Sequence, residues 1–515
     1  MSTQAPLRTD ADRRKVTTNH VVALVAGGAL FAAFPRLWML DAQSLWYDEG
    51  VSARMVTRSF AEIAAATSVD IHPPLYYWLL ATWSAAFGDS EWTLRVFSAA
   101  LGSLAAGVTG VLAARIRGAA AGVLAVLVLT VSPLAVQYGQ EVRMYALASL
   151  LAAGSALACH WTITAESPST RRAALHGLTT SALVYTHYYA VTVAVAQHLV
   201  LVWWAVRGRT RGHVMAWMAA VTLPVLMYLP WLPIALRQVS YYPGLGTPRS
   251  ATEIAVDALN VLSLGLATTR FEPRLGLVPF LGLALAGLWD LRRDRTHALP
   301  LVGLWLAVPI GAVLALSAGT PRYEPRFLML VAPAWCVAIA LGVWSVARGG
   351  GALLAERAIW LAPARATICV ILIGMLLVPT ARSLRSYYSD PRYARDDYRS
   401  LVASISREAR AGDTVLLTAP GQIDVVSYYA RRADPGLLGR IVPLPRERPI
   451  NGPATVQSLE ALAASTARVW LVRWAHREAD PDDLIGQWLG VHLAQVQTRT
   501  FGAVELWLYS EWRQR

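Results

Sequence analysis

Leu45-Trp46-Tyr47-Asp48-Glu49-Gly50 follows closely on an apolar run at 21–40, and Asp70-Ile71-His72-Pro73-Pro74-Leu75-Tyr76-Tyr77 leads back into apolar sequence. This order decides the fold: a hydrophobic span, a first outer loop at 41–72 with two adjacent carboxylates, then more apolar chain. Asp and Glu together number 33 of 515 residues, so an acid pair ringed by Trp and Tyr beside a span needs a reason. Working outward, the apolar runs fall at 21–40, 73–88, 96–115, 119–137, 144–162, 174–187, 190–206, 214–233, 276–291, 299–316, 327–347 and 358–379. Most approach the roughly 20 residues that a helix needs to cross hydrocarbon. Pro and Gly inside them are compatible with helix, because neighbouring helices satisfy the freed backbone groups.

Composition agrees. The chain is 55% hydrophobic and 15% charged, against roughly 25% charged in soluble domains. A mainly α, polytopic membrane protein with a smaller soluble portion is expected. The 20 Trp and 19 Tyr suit interfacial belts. A net charge of +13 raises the question of nucleic acid, but the arginines sit in short clusters between apolar runs. Positive-inside topology accounts for them, and no nucleic-acid partner is expected. Cys159, Cys336 and Cys369 lie far apart in apolar runs without metal spacing and read as small core- or lipid-facing residues. The basic stretch from Arg8 to Lys15 precedes an apolar run too long for a signal-peptide core, with no small-x-small site after it. Residues 1–20 therefore read as a cytoplasmic tail before an uncleaved first span.

Orientation follows from the basic loops. Arg115/Arg117, Arg171/Arg172, Arg207/Arg209/Arg211, Arg292/Arg293/Arg295 and Arg348/Arg357 are assigned to the cytoplasm. The first span then exits outside, and 96–115 must also begin outside. So 73–88 is expected to be shallow, tilted or re-entrant, which leaves eleven full crossings in a transmembrane domain at 21–380. The stretch 253–268 reads as an outer amphipathic helix. The non-basic loops all face outward. They carry Asp48, Glu49, His72, Arg95, Glu141, Arg143, Tyr145, His187, Tyr188, Arg322 and Arg326. From 381 to 515 the chain turns polar. Strands are expected at 413–418, 468–473 and 504–509 and helices at 400–411 and 456–464, a small α/β domain placed outside by the odd number of crossings.

Each polar residue allows a functional and a plain reading. Asp48 and Glu49, being adjacent, do not share a helix face. One could act as a general base in a partly desolvated site while the other orients it, or both could cap a helix starting near Gly50. His72 before Pro73-Pro74 is held extended at a helix start, where anions bind well. Glu141 and Arg143 either pair with each other or reach into the same outer cavity. His187, flanked by Tyr185, Tyr188 and Tyr189, is a core residue or a cavity residue. Arg322 and Arg326 break the positive-inside pattern. Their forked donors suit a phosphate ester, unless they pair with Glu324 and snorkel.

These motifs, taken in order with Arg95 and Ser98-Ala99, with Gln140-Glu141-Val142-Arg143-Met144-Tyr145 and with Arg322 to Arg326, resemble the bacterial GT-C glycosyltransferases over roughly 20–380. Within these the chain is similar to the family 39 protein O-mannosyltransferases and the related aminoarabinose transferases of lipid A. The resemblance implies an enzyme of the bacterial cytoplasmic membrane. It would move a sugar, with inversion, from a polyprenyl-phosphate donor to an acceptor hydroxyl on the outer face. It implies Asp48 as general base or acceptor-orienting carboxylate, Glu49 in support, and Arg143 and Arg326 on the donor phosphate. Arg95 would brace the acid pair, and His72 and Tyr76 would line the cavity. The acceptor would be a protein, a glycan or a lipid. MIR-type repeats are absent, and two arginines compete for the phosphate role. No second acid stands at Asp-x-Asp spacing from Asp48, so no cofactor and no required metal are expected.

Two other readings compete. A transporter or flippase for a lipid-linked sugar would place its ionisable groups near the bilayer midplane, often within repeats, whereas these acids fall at span ends. A mere membrane anchor would leave the work to the C-terminal domain, which carries no catalytic motif.

Overall fold

The computed structural model describes residues 16–241, 248–267, 274–292, 297–317, 321–354, 361–446 and 450–512. The stretch from Arg8 to Lys15, and Arg293, Arg295 and Arg357 of the basic loops, lie outside the described residues. The chain divides into two compact units. One comprises residues 1–38, 60–79 and 95–390, and the other residues 39–59, 80–94 and 391–515.

The first unit is helical. Among the described residues, seven helices are long and apolar enough to cross a membrane, or up to nine if each of two bent pairs is one span. The count of eleven is therefore not reached on length and composition. The two expected crossings that fall short are helix Thr170–Val184 and the 14-residue helix Val278–Leu291. The 73–88 run is helix Leu75–Phe87, with 13 residues. At about 1.5 Å per residue it reaches roughly 20 Å, against about 30 Å of hydrocarbon. Helix Ala251–Leu264 occupies the start of 253–268 and buries Ile254, Ala258 and Val261.

One bent pair, Ala119–Val131 and Pro133–Gly139, turns by 63°. Its cause is local. Pro133 has no N–H to give to the Leu129 carbonyl, and the Ser132 side chain accepts from Ala135 N to restart the helix. Arg36, from helix Gly28–Leu37 and wholly buried, fills the gap. Its guanidinium donates to the carbonyls of Leu129 at 3.1 Å, Thr130 at 3.4 Å and its own Ala32 at 2.9 Å. A cation at a helix C-terminus is favoured by the helix dipole. Gly102 and Gly139 leave the room: a Cβ on either would lie 3.1 Å from the Arg36 side chain.

The second unit is built on a five-stranded sheet of order β2-β1-β3-β5-β4. The strands are β1 (Asp413–Leu417), β2 (Ile441–Pro443), β3 (Arg468–Arg473), β4 (Leu493–Phe501) and β5 (Val504–Trp512). β2, β1 and β3 are parallel, and β5 and β4 close the edge antiparallel. Leu416, Val469 and Leu471 of the sheet pack with Leu459, Ile485 and Leu489 of the helices into one apolar core. The early segments of the chain are stitched into this unit. Leu45 N donates to Tyr429 Oη at 2.6 Å, and Ser44 Oγ to the Asp396 carbonyl at 2.8 Å. Arg399 pairs with Glu91, and Arg432 with Asp89, each at 2.7 Å.

Candidate active site

Asp48 and Glu49 sit in the first turn of helix Tyr47–Met55, within the sheet unit. The helix begins at Tyr47, three residues before the start near Gly50 that the sequence suggested. Acids in a first turn are stabilised by the helix dipole. Successive positions diverge by about 100° around a helix, and the two carboxylates have different surroundings accordingly. Glu49 is fully buried. Its Oε2 accepts from Trp46 N at 3.4 Å and from the Arg395 guanidinium at 2.9 Å. Asp48 is half-buried. Helix Tyr47–Met55 lies against helix Ile423–Ala433 so closely that a Cβ on Gly50 would come 2.5 Å from Val425 Cβ. Tyr47 stacks on Trp474, with ring centroids 5.2 Å apart.

The helical unit holds the other candidates. His72 Nδ1 lies 3.3 Å from Asp70 Oδ2, and its Nε2 lies 3.1 Å from an Arg143 nitrogen. A guanidinium can only donate, so Nε2 accepts and the ring proton sits on Nδ1, donated to Asp70. Burial works to raise the Asp70 carboxyl. The hydrogen bond from His72 and the Arg143 charge outweigh it and leave the group below its ordinary value. Arg143 also donates to Tyr77 Oη at 3.2 Å. Tyr76 supports the same arginine through the backbone: its hydroxyl bonds Ser98 Oγ at 2.9 Å, and Ser98 donates to the Arg143 carbonyl at 3.5 Å. Arg95, one turn before Ser98 on helix Glu91–Arg117, is buried.

A second arginine approaches from the turn Pro325–Leu330. Arg326 donates to Glu324 at 3.1 Å and to Tyr145 Oη at 3.4 Å. His187 joins the two halves. Its ring centroid lies 6.5 Å from that of His72, 5.9 Å from Tyr145 and 5.2 Å from Phe327. Burial, then the charges of Arg326 and Arg143, push His187 down to about 3, so the imidazole is neutral at physiological pH. Glu141 is buried beside this arrangement, two residues before Arg143.

Asp70, His72, Arg143, Tyr145, His187 and Arg326 are thus brought together, with Tyr76 behind them. Tyr188 has another duty: its hydroxyl bonds Gln238 and accepts from Trp231 Nε1 at 2.9 Å. Arg322 is half-buried and, among the described residues, makes no hydrogen bond or ion pair. Of the two competing arginines, Arg326 is the one that meets the cluster. No group of three His, Cys, Asp or Glu side chains that could hold a metal ion occurs among the described residues.

Sequence reasoning gave no role to three residues that the structure uses. Arg36 carried a signal, as the one charge inside the 21–40 run. Gln140 follows it: its Nε2 donates to the Arg36 and Trp38 carbonyls at 3.1 and 2.7 Å, which anchors the loop that presents Arg143. Arg395, 346 positions beyond Glu49, carried none.

Residues 71–234 match the family model described as dolichyl-phosphate-mannose-protein mannosyltransferase. No curated protein matches the sequence. Among solved structures, ArnT from Cupriavidus metallidurans, bound to undecaprenyl phosphate, superposes with a TM-score of 0.60 at 16% identity, covering 96% of this chain and 98% of that one. The Archaeoglobus fulgidus oligosaccharyltransferase tethered to an acceptor peptide gives a TM-score of 0.59 at 14% identity, over 96% of this chain and 74% of that one. The fold is mainly α and membrane-spanning, with a small C-terminal α/β portion. The chain has the GT-C glycosyltransferase fold and is similar over residues 71–234 to the dolichyl-phosphate-mannose-protein mannosyltransferases.

Proposed function

We propose that this protein is a glycosyltransferase that takes its sugar from a polyprenyl-phosphate donor and passes it to an acceptor hydroxyl. The observation that carries this reading is the pair of arginines, Arg143 and Arg326, which reach a neutral His187 through His72 and Tyr145 respectively. Guanidinium forks suit phosphate oxygens. A leaving phosphate gains charge as the glycosidic C–O bond breaks, and fixed cations in a dry site lower that barrier. His72 contributes by orientation. Bonded to Asp70 on one side, it accepts from Arg143 on the other and holds that fork in one direction.

Asp48 is proposed as the general base. Glu49 is buried and paired with Arg395, whereas Asp48 is the half-buried carboxylate of the two, which favours it for proton transfer. It would take the acceptor's hydroxyl proton as the oxygen attacks the anomeric carbon from the face opposite the phosphate. One displacement then inverts the centre, and polyprenyl phosphate departs. Glu49 holds the helix turn that presents Asp48. The acceptor is a protein, a glycan or a lipid on the outer face of a bacterial cytoplasmic membrane. Residues 381–515 would lie on that same outer side.

The test uses the full chain in lipid, given radiolabelled polyprenyl-phosphate hexose and pentose, with sugar release or transfer followed. Wild type should turn over at least one donor. Asp48→Asn should lose turnover by roughly 100-fold or more, the usual worth of a positioned base, while still binding donor. Wild-type turnover in Asp48→Asn would remove the base assignment. Movement of lipid between leaflets without any transfer would identify a flippase instead.

A further inference from the structure

A cavity of about 710 Å³ lies in the helical unit, between the end of helix Glu91–Arg117, the start of Ala119–Val131, and helices Ala332–Leu354 and Leu361–Ser389. It contains none of the residues of the candidate active site. Arg117, Arg348 and Arg365 stand at its polar part, and Val123, Leu124 and Trp344 form apolar wall.

The charges in it do not balance. Arg117 is satisfied: it donates to Asp290 Oδ2 at 2.7 Å and to the Asp290 carbonyl at 3.1 Å. Asp290 is then spent, its other oxygen accepting from Ser345 Oγ at 3.4 Å. Arg348 lies over the Trp344 ring, 4.7 Å from its centroid. That contact holds the guanidinium in place by its face and, among the described residues, leaves the N–H edge unused. Arg365 has a buried Nε with no hydrogen-bond partner. Among the described residues neither Arg348 nor Arg365 has a carboxylate partner, and no acid lines the cavity. Among the described residues, nothing in the pocket neutralises these two arginines. Like charges placed together in this way call for an anion.

The wall specifies the rest of the ligand. The cavity is framed by helices that are themselves candidate membrane spans. Val123 beside it is 59% exposed and Val370 is 69% exposed. Apolar side chains exposed on a membrane span face lipid. The occupant therefore needs an anionic head at the level of the arginines and a hydrocarbon tail along the wall. Arginines grouped between spans at the basic end of a bundle match lipid phosphate in this way. A zwitterionic headgroup would bring an ammonium beside the Arg348 and Arg365 guanidiniums.

We propose that this cavity binds one acidic glycerophospholipid of the bilayer, with its phosphodiester on Arg348 and Arg365 and an acyl chain along Val123 and Leu124. The site is independent of the transfer reaction. Binding there ties the ends of the four helices together from outside the active-site cluster.

The experiment is native mass spectrometry of the purified full chain in a mild detergent, with phosphatidylglycerol or phosphatidylethanolamine of the same acyl chains added in equal amounts. Wild type should hold one phosphatidylglycerol in clear preference to phosphatidylethanolamine. Arg348→Gln with Arg365→Gln should weaken the phosphatidylglycerol adduct by roughly 10- to 30-fold. Arg172→Gln, whose arginine stacks on Trp161 elsewhere, should leave it unchanged. Ala366→Trp keeps every charge and fills the groove, so it should give the same loss even if the double variant folds poorly. Equal binding of the two lipids by wild type would overturn the proposal. So would wild-type phosphatidylglycerol occupancy in Ala366→Trp, or displacement of phosphatidylglycerol by an equal amount of farnesyl phosphate.

Discussion

Gln140 closes the end of the helix that carries Arg36, and Arg36 closes the helix just before the one that Gln140 caps. The Gln140 amide donates to the Arg36 carbonyl at 3.1 Å, at the end of helix Gly28–Leu37. The Arg36 guanidinium donates to Leu129 and Thr130, at the break that precedes the helix ending at Gly139. Removing either partner leaves buried carbonyls without donors, at about 1–3 kcal/mol for each. Arg36→Met should therefore lower the melting temperature in detergent sharply. Arg36→Lys should recover only part, because an ammonium lacks the fork that reaches two carbonyls. Gln140→Leu should cost less stability yet still reduce turnover, since it frees the loop that carries Arg143. If Gln140→Leu retains full turnover, the loop does not depend on this lock.

Glu49 and Arg395 form an ion pair at 2.9 Å with Glu49 fully buried. Breaking a buried pair from one side leaves an uncompensated charge, at about 3–5 kcal/mol. Arg395→Met alone should be strongly destabilising. The double variant Glu49→Gln with Arg395→Met should recover much of the stability. Thermal melts of the three proteins decide it, and additive losses would show that the two side chains are not coupled.

Arg143 meets His72 and Tyr77, both at the mouth of helix Leu75–Phe87. If it binds donor phosphate, Arg143→Gln removes a charge-assisted contact worth about 1.5–3 kcal/mol. Turnover per donor concentration should fall by roughly 10- to 100-fold. Tyr77→Phe should fall less, because it loosens the arginine without removing it. A Tyr77→Phe loss equal to that of Arg143→Gln would point to the tyrosine as the ligand.

What the sequence made legible follows the strength of each local signal. Strand β3 at Arg468–Arg473 was expected residue for residue, because VWLV is an apolar run bounded by charge. β4 was not expected. Its centre, Gln497 to Thr500, is polar on both faces, and only pairing with β5 makes it a strand. β2 has three residues and no pattern to read. The apolar runs announced most spans, but hydropathy says nothing of the 63° break at Pro133 or of what satisfies it. In the site, His72, Arg143 and Arg326 stood out as polar residues at span ends. Their grouping around His187 depends on contacts between residues far apart in the chain, and these have no local trace.

His187 lies in the turn after helix Thr170–Val184 and is held at about 3, against 6.5 for an ordinary imidazole. Between those values the unfolded chain binds a proton that the folded chain does not. Its contribution is therefore present in full above pH 6.5 and is lost as the pH falls through that window. From pH 7.5 to pH 5 the loss should be about 2 kcal/mol. Asp70, held below its ordinary range, stays ionised throughout this interval and adds no slope. Wild type should lose more melting temperature between the two pH values than His187→Gln does. Equal losses would mean that the ring is protonated in the fold.

Gly50 carries the last prediction. A Cβ there would stand 2.5 Å from Val425 Cβ and 2.7 Å from Val425 Cα and N. Two of these atoms are backbone and cannot rotate away, so helix Tyr47–Met55 must shift from helix Ile423–Ala433. Overpacking of this kind costs about 1–3 kcal/mol, and the shift carries Asp48 and Glu49 with it. Gly50→Ala should thus lower turnover even at temperatures where the protein remains folded. Val425→Ala should not restore it, because alanine keeps all three of the atoms in the way. Full recovery in Gly50→Ala with Val425→Ala would show that the γ-methyl groups of Val425, not its backbone, set the position of the acid pair.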